Sequence, residues 1–298
     1  MTYQPDLVIY HDNCDDGYAA AMVCYMRWPK VKFLATNYGR NDVSPHHFKN
    51  KHVLITDFSF SAADLMKMAE SALSVLVLDH HKSAKEALSG LPHVERPNSD
   101  GWVDYMHDCL EANRPVLGVE FDMERSGARM TWDFCFPDED APMFIKLIED
   151  RDLWKFKYSL SKGFTAYLRS IPRNFTDWIA ILETLEKYPE HIKAKAEAVL
   201  AYKSELISRI VDTTEVRTFG KWEGVAVTET CPYELVSDVC NEMLRRNPDA
   251  PFAVALIRSK GGLTFSFRSE DSRIDVSEIA KSFGGGGHRN AAGARFPM

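Results

Sequence analysis

The sequence predicts an α/β protein with a parallel-sheet domain and flanking helices, a helical linker and a smaller α/β domain at the C-terminal end. Short apolar runs alternate with helix-like segments in the first part of the chain, which is typical of parallel strands joined by helical crossovers. A segment rich in Ala, Glu, Lys and Leu follows, and strand-like runs return after residue 212. We therefore expect domains at 1–188 and 213–298, with a linker helix at 189–212.

Four apolar runs in the first 81 residues predict the strands of this sheet, and they are Leu7–His11, Val31–Ala35, Val53–Thr56 and Val75–Leu78. A helix is predicted at Gly17–Met26, and another begins after Ser61, whose hydroxyl can cap it. His46 and His47 fall in a polar loop. The region from residue 92 to 115 is less regular, and we expect a loop there with one short helix near 104–112.

Helices dominate the middle of the chain, and strands dominate its end. We predict helices at Gly127–Phe134, with Ser126 as the cap, at Ala141–Asp150 and over a long segment after Pro189. The later strands are predicted at Gly224–Thr228, Phe252–Ile257 and Leu263–Arg268, with a turn at Lys260–Gly262.

Composition indicates an ordinary globular protein and excludes several function classes. The 298 residues are 45% hydrophobic and 27% charged, which suits two domains with a sizeable core. A net charge of −7 argues against a stable complex with long nucleic acid, because such binders are basic. The six cysteines contain no Cys-x-x-Cys pair, and no apolar run approaches 18 residues. We therefore expect a cytoplasmic protein with reduced thiols that does not cross a membrane.

Three of the predicted strands stop at acids or histidines. The first ends at His11 and runs into Asp12, Asp15 and Asp16, the next reaches Asp57, and the last reaches Asp79-His80-His81. A single acid after a strand commonly starts a turn or caps a helix. Three such strands favour a metal site, because the carboxyl ends of parallel strands meet at one edge of the sheet. The predicted ligands are His11, Asp16, Asp57, Asp79, His80 and Asp150.

This set of oxygen and nitrogen donors lacks thiolates and suits Mn²⁺, with Mg²⁺ or Co²⁺ as substitutes. Two such ions can activate water and neutralise charge on a phosphoryl group. Asp79, His80 and His81 are then the catalytic residues, and His81 either contacts a phosphate oxygen or orients a ligand. Glu149 and Asp152 have an alternative explanation as ion-pair partners of Arg151.

A glycine run near the C-terminal end predicts an anion-binding loop. Such runs alone are usually flexible turns, but this one is followed by basic and polar side chains. We expect its backbone N–H groups to cradle a phosphate at the start of a helix formed by Ala291-Ala292-Gly293. The predicted substrate-binding residues are Arg268, Gly285, Gly286, Gly287, His288, Arg289 and Asn290.

Together these motifs resemble the DHH superfamily of phosphoesterases with its DHH-associated C-terminal domain, over nearly the whole chain. The resemblance is carried by His11 with Asp16-Gly17, Asp57, Asp79-His80-His81, Asp150, Ser126-Gly127-Ala128, and Gly285–His288 with Ala291–Gly293. It implies a Mn²⁺-dependent phosphohydrolase with its active site between the two domains. The most similar branch is the oligoribonuclease or nano-RNase type, which implies short RNA or a dinucleotide as substrate. Alternatives are a pyrophosphate or polyphosphate hydrolase, a cyclic-nucleotide phosphodiesterase and a catalytically silent nucleotide sensor.

The chain departs from the family pattern at Cys14, where many members have an acid. Asp12, Asp15 or Cys14 itself then completes the first metal site, or one ion is held by fewer protein ligands. The segment 95–118 is also longer than the family's usual connection, which would reshape the substrate cleft. Preferred substrate length, polarity of cleavage and the formation of a homodimer stay open at this point.

Overall fold

The computed structural model describes residues 3–12, 14–38, 43–259 and 261–297, and its chain divides into two compact units. The units are Met1–Leu200 and Ala201–Met298. The division falls inside a helix, Pro189–Val211, in the segment where the sequence predicted a long helix. Among the described residues, no helix is both long and apolar enough to span a membrane.

The first unit is built on a parallel sheet, as the sequence predicted. Its strands are β1 (Leu7–His11), β2 (Lys32–Thr36), β3 (His52–Thr56), β4 (Ser74–Asp79) and β5 (Leu117–Phe121). The described strands follow the order β2-β1-β3-β4-β5, and every pair is parallel. The order changes direction between β1 and β3, and ligands of such sheets bind outside the carboxyl ends of the strands at this switch point.

Helices cover both faces of this sheet, which explains why its strands are continuously apolar. Alternate strand residues point to opposite faces, so Leu7 and Ile9 enter one core with Leu65, while Val8 enters another core with Met22. The helices of this unit are α1 (Asp15–Arg27), α2 (Pro45–Phe48), α3 (Ala62–Ala69), α4 (Lys82–Ala87), α5 (Ser99–Glu111), α6 (Gly127–Cys135), α7 (Met143–Asp152), α8 (Ser161–Arg169) and α9 (Phe175–Lys187), followed by α10 (Pro189–Val211).

The second unit contains a mixed sheet. Its elements are β6 (Glu215–Phe219), β7 (Trp222–Thr228), a 3₁₀ turn (Tyr233–Leu235), α11 (Val236–Arg246), β8 (Ala253–Ser259), β9 (Gly262–Arg268), α12 (Val276–Ser282), β10 (Gly286–His288) and β11 (Ala291–Phe296). The sheet order is β10-β11-β9-β8-β7-β6, with β7 and β8 parallel and the other described pairs antiparallel. Helices α11 and α12 contribute to two separate cores. The α/β class is thus confirmed for both parts of the chain.

The structure corrects several local predictions. Residues 291–293 do not begin a helix but belong to strand β11, because pairing with β9 along its whole length overrides the helix preference of alanine. Strand β5 was not predicted, since Gly118 and Glu120 interrupt its apolar pattern. His46 and His47 lie in the short helix α2 rather than in a loop. Lys260, the first residue of the predicted turn at Lys260–Gly262, lies outside the described residues.

Candidate metal centre

The register of the parallel sheet brings the predicted ligands together at its carboxyl edge. Tyr10 pairs with Thr56, and Thr56 pairs with Leu78. The next residue in each strand or strand end is His11, Asp57 or Asp79, so these three residues occupy one row across β1, β3 and β4. Sheet geometry alone therefore assembles half of the predicted metal site.

One group of candidate ligand atoms consists of His11, Asp57 and His81, which lie within 4.8 Å of one another. His11 Nδ1 is 3.5 Å from Asp57 Oδ2, and His11 Nε2 is 3.3 Å from Asn37 Oδ1. Asn37 Oδ1 also accepts a hydrogen bond from the backbone N–H of Tyr38 at 2.8 Å, which identifies it as the acceptor. His11 therefore carries its hydrogen on Nε2 and presents the lone pair of Nδ1, as a metal-binding histidine must.

A second group consists of Asp16, His80 and Asp152, again within 4.8 Å of one another. His80 Nε2 lies 3.1 Å from Asp57 Oδ1, 3.5 Å from Asp152 Oδ2 and 3.7 Å from Asp16 Oδ2. Burial disfavours the charged imidazole, but the hydrogen bond with Asp57 and the charges of Asp152 and Asp16 raise the pKa of His80 to about 10. Three carboxylates around one imidazole nitrogen are the arrangement expected where a cation would neutralise them.

Asp57 lies between the two groups. Its Oδ2 faces His11 and its Oδ1 faces His80, so one carboxylate reaches both sets of ligand atoms. Although burial opposes ionisation, the hydrogen bond and charge of His80, together with the charge of His81, hold the pKa of Asp57 well below its usual range. Asp57 also has a φ of 54°. Such a conformation is costly for a residue other than glycine and is concentrated at functional sites.

Asp79 orients the two histidines that follow it. Its Oδ1 accepts hydrogen bonds from the backbone N–H groups of His80 and His81, at 2.8 and 3.2 Å. The same oxygen lies 2.6 Å from His81 Nδ1. The hydrogen of a neutral His81 is thereby directed to Nδ1, which leaves Nε2 to contact a ligand.

Asp16 is held by the beginning of helix α6. The backbone N–H groups of Gly127 and Ala128 donate to its Oδ2 and Oδ1 at 2.6 and 3.0 Å, and Ser126 caps the helix as predicted. Gly127 packs so closely that an added Cβ would lie 2.4 Å from the Cβ of Asp57. The amino end of a helix favours a carboxylate. Helix α6 therefore holds both Asp16 and Asp57 in place.

The structure separates Asp150 from this cluster and brings in Asp152 instead. Asp150 Oδ1 accepts from the backbone of Lys157 at 2.7 Å, and its Oδ2 accepts from the backbone of Tyr158 at 3.1 Å and from the hydroxyl of Ser161. Both oxygens thus stabilise the turn that leads into α8. Residues two positions apart lie on different sides of a helix, so Asp150 and Asp152 face different surroundings. The sequence contained Asp152 but gave no means to choose between them.

Asp15, a proposed alternative ligand, serves a different contact. Its carboxylate pairs with Arg169 at 2.5 Å and Arg173 at 3.0 Å. Asp12 donates its backbone N–H to Thr36, and neither Asp12 nor Asp15 belongs to either group of candidate ligands among the described residues. Asn37, by contrast, was not predicted although it stands one residue beyond strand β2, at the same edge of the sheet.

Three buried side-chain atoms of the site lack hydrogen-bond partners among the described residues: His11 Nδ1, Asp57 Oδ2 and Asp79 Oδ2. Buried polar atoms are costly unless a partner satisfies them. All three atoms carry a lone pair and none carries a hydrogen, so they cannot form hydrogen bonds with one another. Their chemistry fits hard or borderline divalent cations.

The predicted substrate-binding residues lie in the second unit, where several already have partners in the fold. Arg268 donates to the hydroxyls of Ser266 and Ser237 at 3.2 and 2.9 Å. Arg289 donates to the backbone oxygens of Asp271 and Arg273 at 3.0 and 3.1 Å.

The glycine run itself forms a strand and turn rather than a loop before a helix. Gly286, Gly287 and His288 are exposed on strand β10, and Gly285 precedes it. Asn290 donates to Asp271 Oδ1 at 2.7 Å. The predicted phosphate cradle at a helix start is therefore wrong, because no helix follows these glycines in the described residues. Substrate binding by exposed groups of β10 stays a prediction.

Comparison with known proteins agrees with these features. The chain is 30% identical to an uncharacterised protein of Acanthamoeba polyphaga mimivirus, over 98% of this chain and 68% of that protein. It is 27% identical to oligoribonuclease NrnB of Bacillus subtilis strain 168, over 81% of this chain and 58% of that protein. Residues 225–298 match the model of the DHHA1 domain.

The chain belongs to the DHH superfamily.

Solved structures share the DHH fold at low sequence identity. The DHH domain of a member of the s1p family of ribosomal proteins matches with a TM-score of 0.59 and 12% identity, over 98% of this chain and 83% of that chain. Exonuclease RecJ bound to manganese matches with a TM-score of 0.52 and 12% identity, over 97% and 85%. These matches show that the chain has the DHH fold, and residues 225–298 match the DHHA1 domain.

Cys14 is the residue at which we expected a departure from the family pattern. Burial and the nearby charges of Asp57 and Asp152 raise the pKa of the Cys14 thiol well above its ordinary value. A neutral thiol is a weak ligand for hard cations. Cys14 is absent from both groups of candidate ligand atoms, and its backbone oxygen instead accepts the N–H of Tyr18 in the first turn of α1.

Proposed function

We propose that the protein hydrolyses phosphodiester bonds in short oligoribonucleotides or dinucleotides, using two Mn²⁺ ions. The observation that carries this proposal is the position of Asp57. One oxygen faces His11 in the first group of ligand atoms, and the other faces His80 in the second group. A carboxylate shared between two ligand sets is the arrangement that a two-metal hydrolase needs.

The residues present fit this cofactor. His11, Asp57 and His81 would hold one ion, and Asp16, His80 and Asp152 would hold the other, with Asp57 common to both. Asp79 would orient His81 through its Oδ1, and its Oδ2, which has no hydrogen-bond partner among the described residues, would be available to an ion. When bound, such a pair of ions lowers the pKa of a water molecule and neutralises charge on a phosphoryl group. The oxygen and nitrogen donors favour Mn²⁺ or Mg²⁺.

The surrounding residues hold these groups in fixed orientations. Asn37 sets the tautomer of His11, and Asp79 sets that of His81. The N–H groups at the start of α6 hold Asp16 in its position. Such preorganisation contributes to catalysis because the polar groups need not rearrange during the reaction.

The substrate class is supported by the activity named for one relative. NrnB is an oligoribonuclease, and this chain spans 58% of its length. The substrate of NrnB therefore supports a short-RNA substrate for this chain but does not establish it. We propose that exposed groups of the second unit, His288 among them, bind the part of the substrate beyond the scissile phosphate. A cytoplasmic location is part of the same proposal and is supported by six free cysteines.

The test is a substrate panel with purified protein and Mn²⁺, covering RNAs from dinucleotides to long chains, cyclic dinucleotides, pyrophosphate and polyphosphate. We expect turnover to be fastest on the shortest RNAs. Asp79→Ala removes the anchor of His81 and should lower kcat about a thousandfold, which corresponds to about 4 kcal/mol. Asp140→Ala, at an exposed acid in the loop before α7, is the matched control and should be neutral. Preferential hydrolysis of polyphosphate or pyrophosphate, or near-normal turnover by Asp79→Ala, would reject the proposal.

A further inference from the structure

A cavity of about 380 Å³ opens beside the candidate metal centre in the first unit. Its walls come from the residues after β2, the loop between β3 and α3, and helix α4. They include the aromatic rings of Tyr38, Phe58 and Phe60 together with Asp64. The volume lies within the range of about 300–1,000 Å³ that is typical of small-molecule sites. Of its lining residues, only Asn37 has a task in the metal centre described above, as the partner of His11.

The aromatic wall adjoins the first group of candidate ligands. The ring centroid of Tyr38 lies 5.7 Å from that of His11 and 6.3 Å from that of His81. Phe58 lies 5.9 Å from His11 and 4.6 Å from Tyr38. An aromatic ligand that stacks on Tyr38 would therefore place the chemical group attached to its ring next to His11 and His81.

The lining combines three aromatic rings and one carboxylate with small polar and apolar side chains. Among the eleven described residues that line the cavity, none is lysine or arginine, and the one carboxylate is that of Asp64. Such a lining repels a phosphate chain and suits a neutral aromatic ring that carries N–H donors. Tyr38 is 53% exposed, although large aromatic side chains are usually more buried. Exposed aromatic rings are the surfaces on which nucleobases stack.

We infer that this cavity is a nucleobase subsite, which holds one base of the substrate against the exposed ring of Tyr38 while the adjoining phosphate lies at the metal centre; the buried ring of Phe58 supports Tyr38 from behind. Asp64 Oδ2 already accepts from the hydroxyl of Ser61 at 2.6 Å, which positions its carboxylate. That carboxylate has further acceptor sites for an amino or ring N–H of the base. The inference rests on the proposed phosphodiesterase function. It adds that the first unit recognises a nucleobase of the substrate.

The first experiment measures kcat/KM on three substrates, namely a dinucleotide and its two analogues that lack either the 5′ or the 3′ base. Tyr38→Ala should lower kcat/KM on the complete dinucleotide about 5- to 150-fold, the factor that corresponds to about 1–3 kcal/mol of base stacking. The loss should disappear on one of the two analogues, whose missing base is the one that occupies the cavity. Tyr38→Phe keeps the ring and should retain activity. Tyr188→Ala removes a tyrosine that is 62% exposed elsewhere in this unit, and it is the matched control.

The second experiment uses no turnover. Guanosine and uridine, which lack phosphate, are titrated into metal-free protein, and saturation-transfer NMR records contact with the base protons. We expect a signal with wild type and Tyr38→Phe, a weaker signal with Asp64→Ala and none with Tyr38→Ala.

The outcomes separate the two proposals. If wild type cleaves dinucleotides but Tyr38→Ala affects all three substrates equally, or affects none, the subsite is refuted while the function stands. If no phosphodiester is cleaved but the nucleosides bind in a Tyr38-dependent manner, the function fails and the subsite stands.

Discussion

Asp150 and Asp152 end the same helix, and replacing each of them by asparagine tests the tasks that the structure assigns to them. Asp152 Oδ2 lies 3.5 Å from His80 Nε2 within the second group of candidate ligands. Asp150 accepts hydrogen bonds from Lys157, Tyr158 and Ser161 in the turn before α8. Asparagine keeps the size of each side chain and removes its charge.

Asp152→Asn should lose activity without losing stability. A charged ligand is expected to contribute about 3–4 kcal/mol to the transition state, so kcat/KM should fall about 100- to 1,000-fold. The Tm of the metal-free protein should not fall, because desolvation and the charge of Asp57 raise the pKa of Asp152 in spite of its attraction to His80, so the fold gains nothing net from the charge that asparagine removes. Excess Mn²⁺ should recover part of the activity, since the second ion is bound more weakly rather than lost.

Asp150→Asn should show the opposite behaviour. Hydrogen bonds to a charged group contribute about 1.5–3 kcal/mol each, and asparagine retains one acceptor oxygen, so we expect a loss of about 2–3 kcal/mol. In a chain of this size that corresponds to a fall in Tm of about 4–12 °C. Activity at a temperature well below the transition should stay within a few-fold of wild type. A large loss of kcat/KM in Asp150→Asn, with a neutral Asp152→Asn, would show that Asp150 is the ligand after all.

Three further substitutions test other parts of the site. Cys14→Ser should leave activity within a few-fold of wild type across a Mn²⁺ titration while Asp16→Asn abolishes it, because a neutral thiol contributes little to binding; a large defect in Cys14→Ser would identify the thiol as a ligand. Gly127→Ala should lower both activity and Tm, because the added Cβ would lie 2.4 Å from the Cβ of Asp57. We expect the free energy of unfolding to fall by about 1–3 kcal/mol. Gly90→Ala is the control, since no atom lies within 4 Å of its added Cβ, and equal effects of the two substitutions would contradict the packing argument. His288→Ala should impair hydrolysis of di- to pentanucleotides more than that of a small synthetic phosphodiester, and equal losses on both would assign His288 to folding or chemistry.

The sequence by itself determined the parallel sheet and the row of ligands at its edge. Continuous apolar runs are typical of strands that are buried on both faces, and an acid or histidine follows three of them. Parallel pairing places equivalent strand ends side by side, so His11, Asp57 and Asp79 had to converge once the register was set. The helix caps at Ser61 and Ser126 could also be predicted from the sequence, because a capping side chain acts within one turn of its own helix.

Only the tertiary structure decided which nearby acids reach the metal centre. The choice of Asp152 over Asp150 depends on the rotation of α7 about its axis, which packing against other helices sets. Asp16 is held by Gly127, which lies 111 positions away in the chain, and the orientation of His11 depends on Asn37 beyond a different strand. The glycine-rich end became a β-hairpin because β11 found a partner in β9. Hydrophobic periodicity specifies the direction in which an element buries its side chains, whereas the partner of each polar side chain is set by contacts between segments that are distant in sequence.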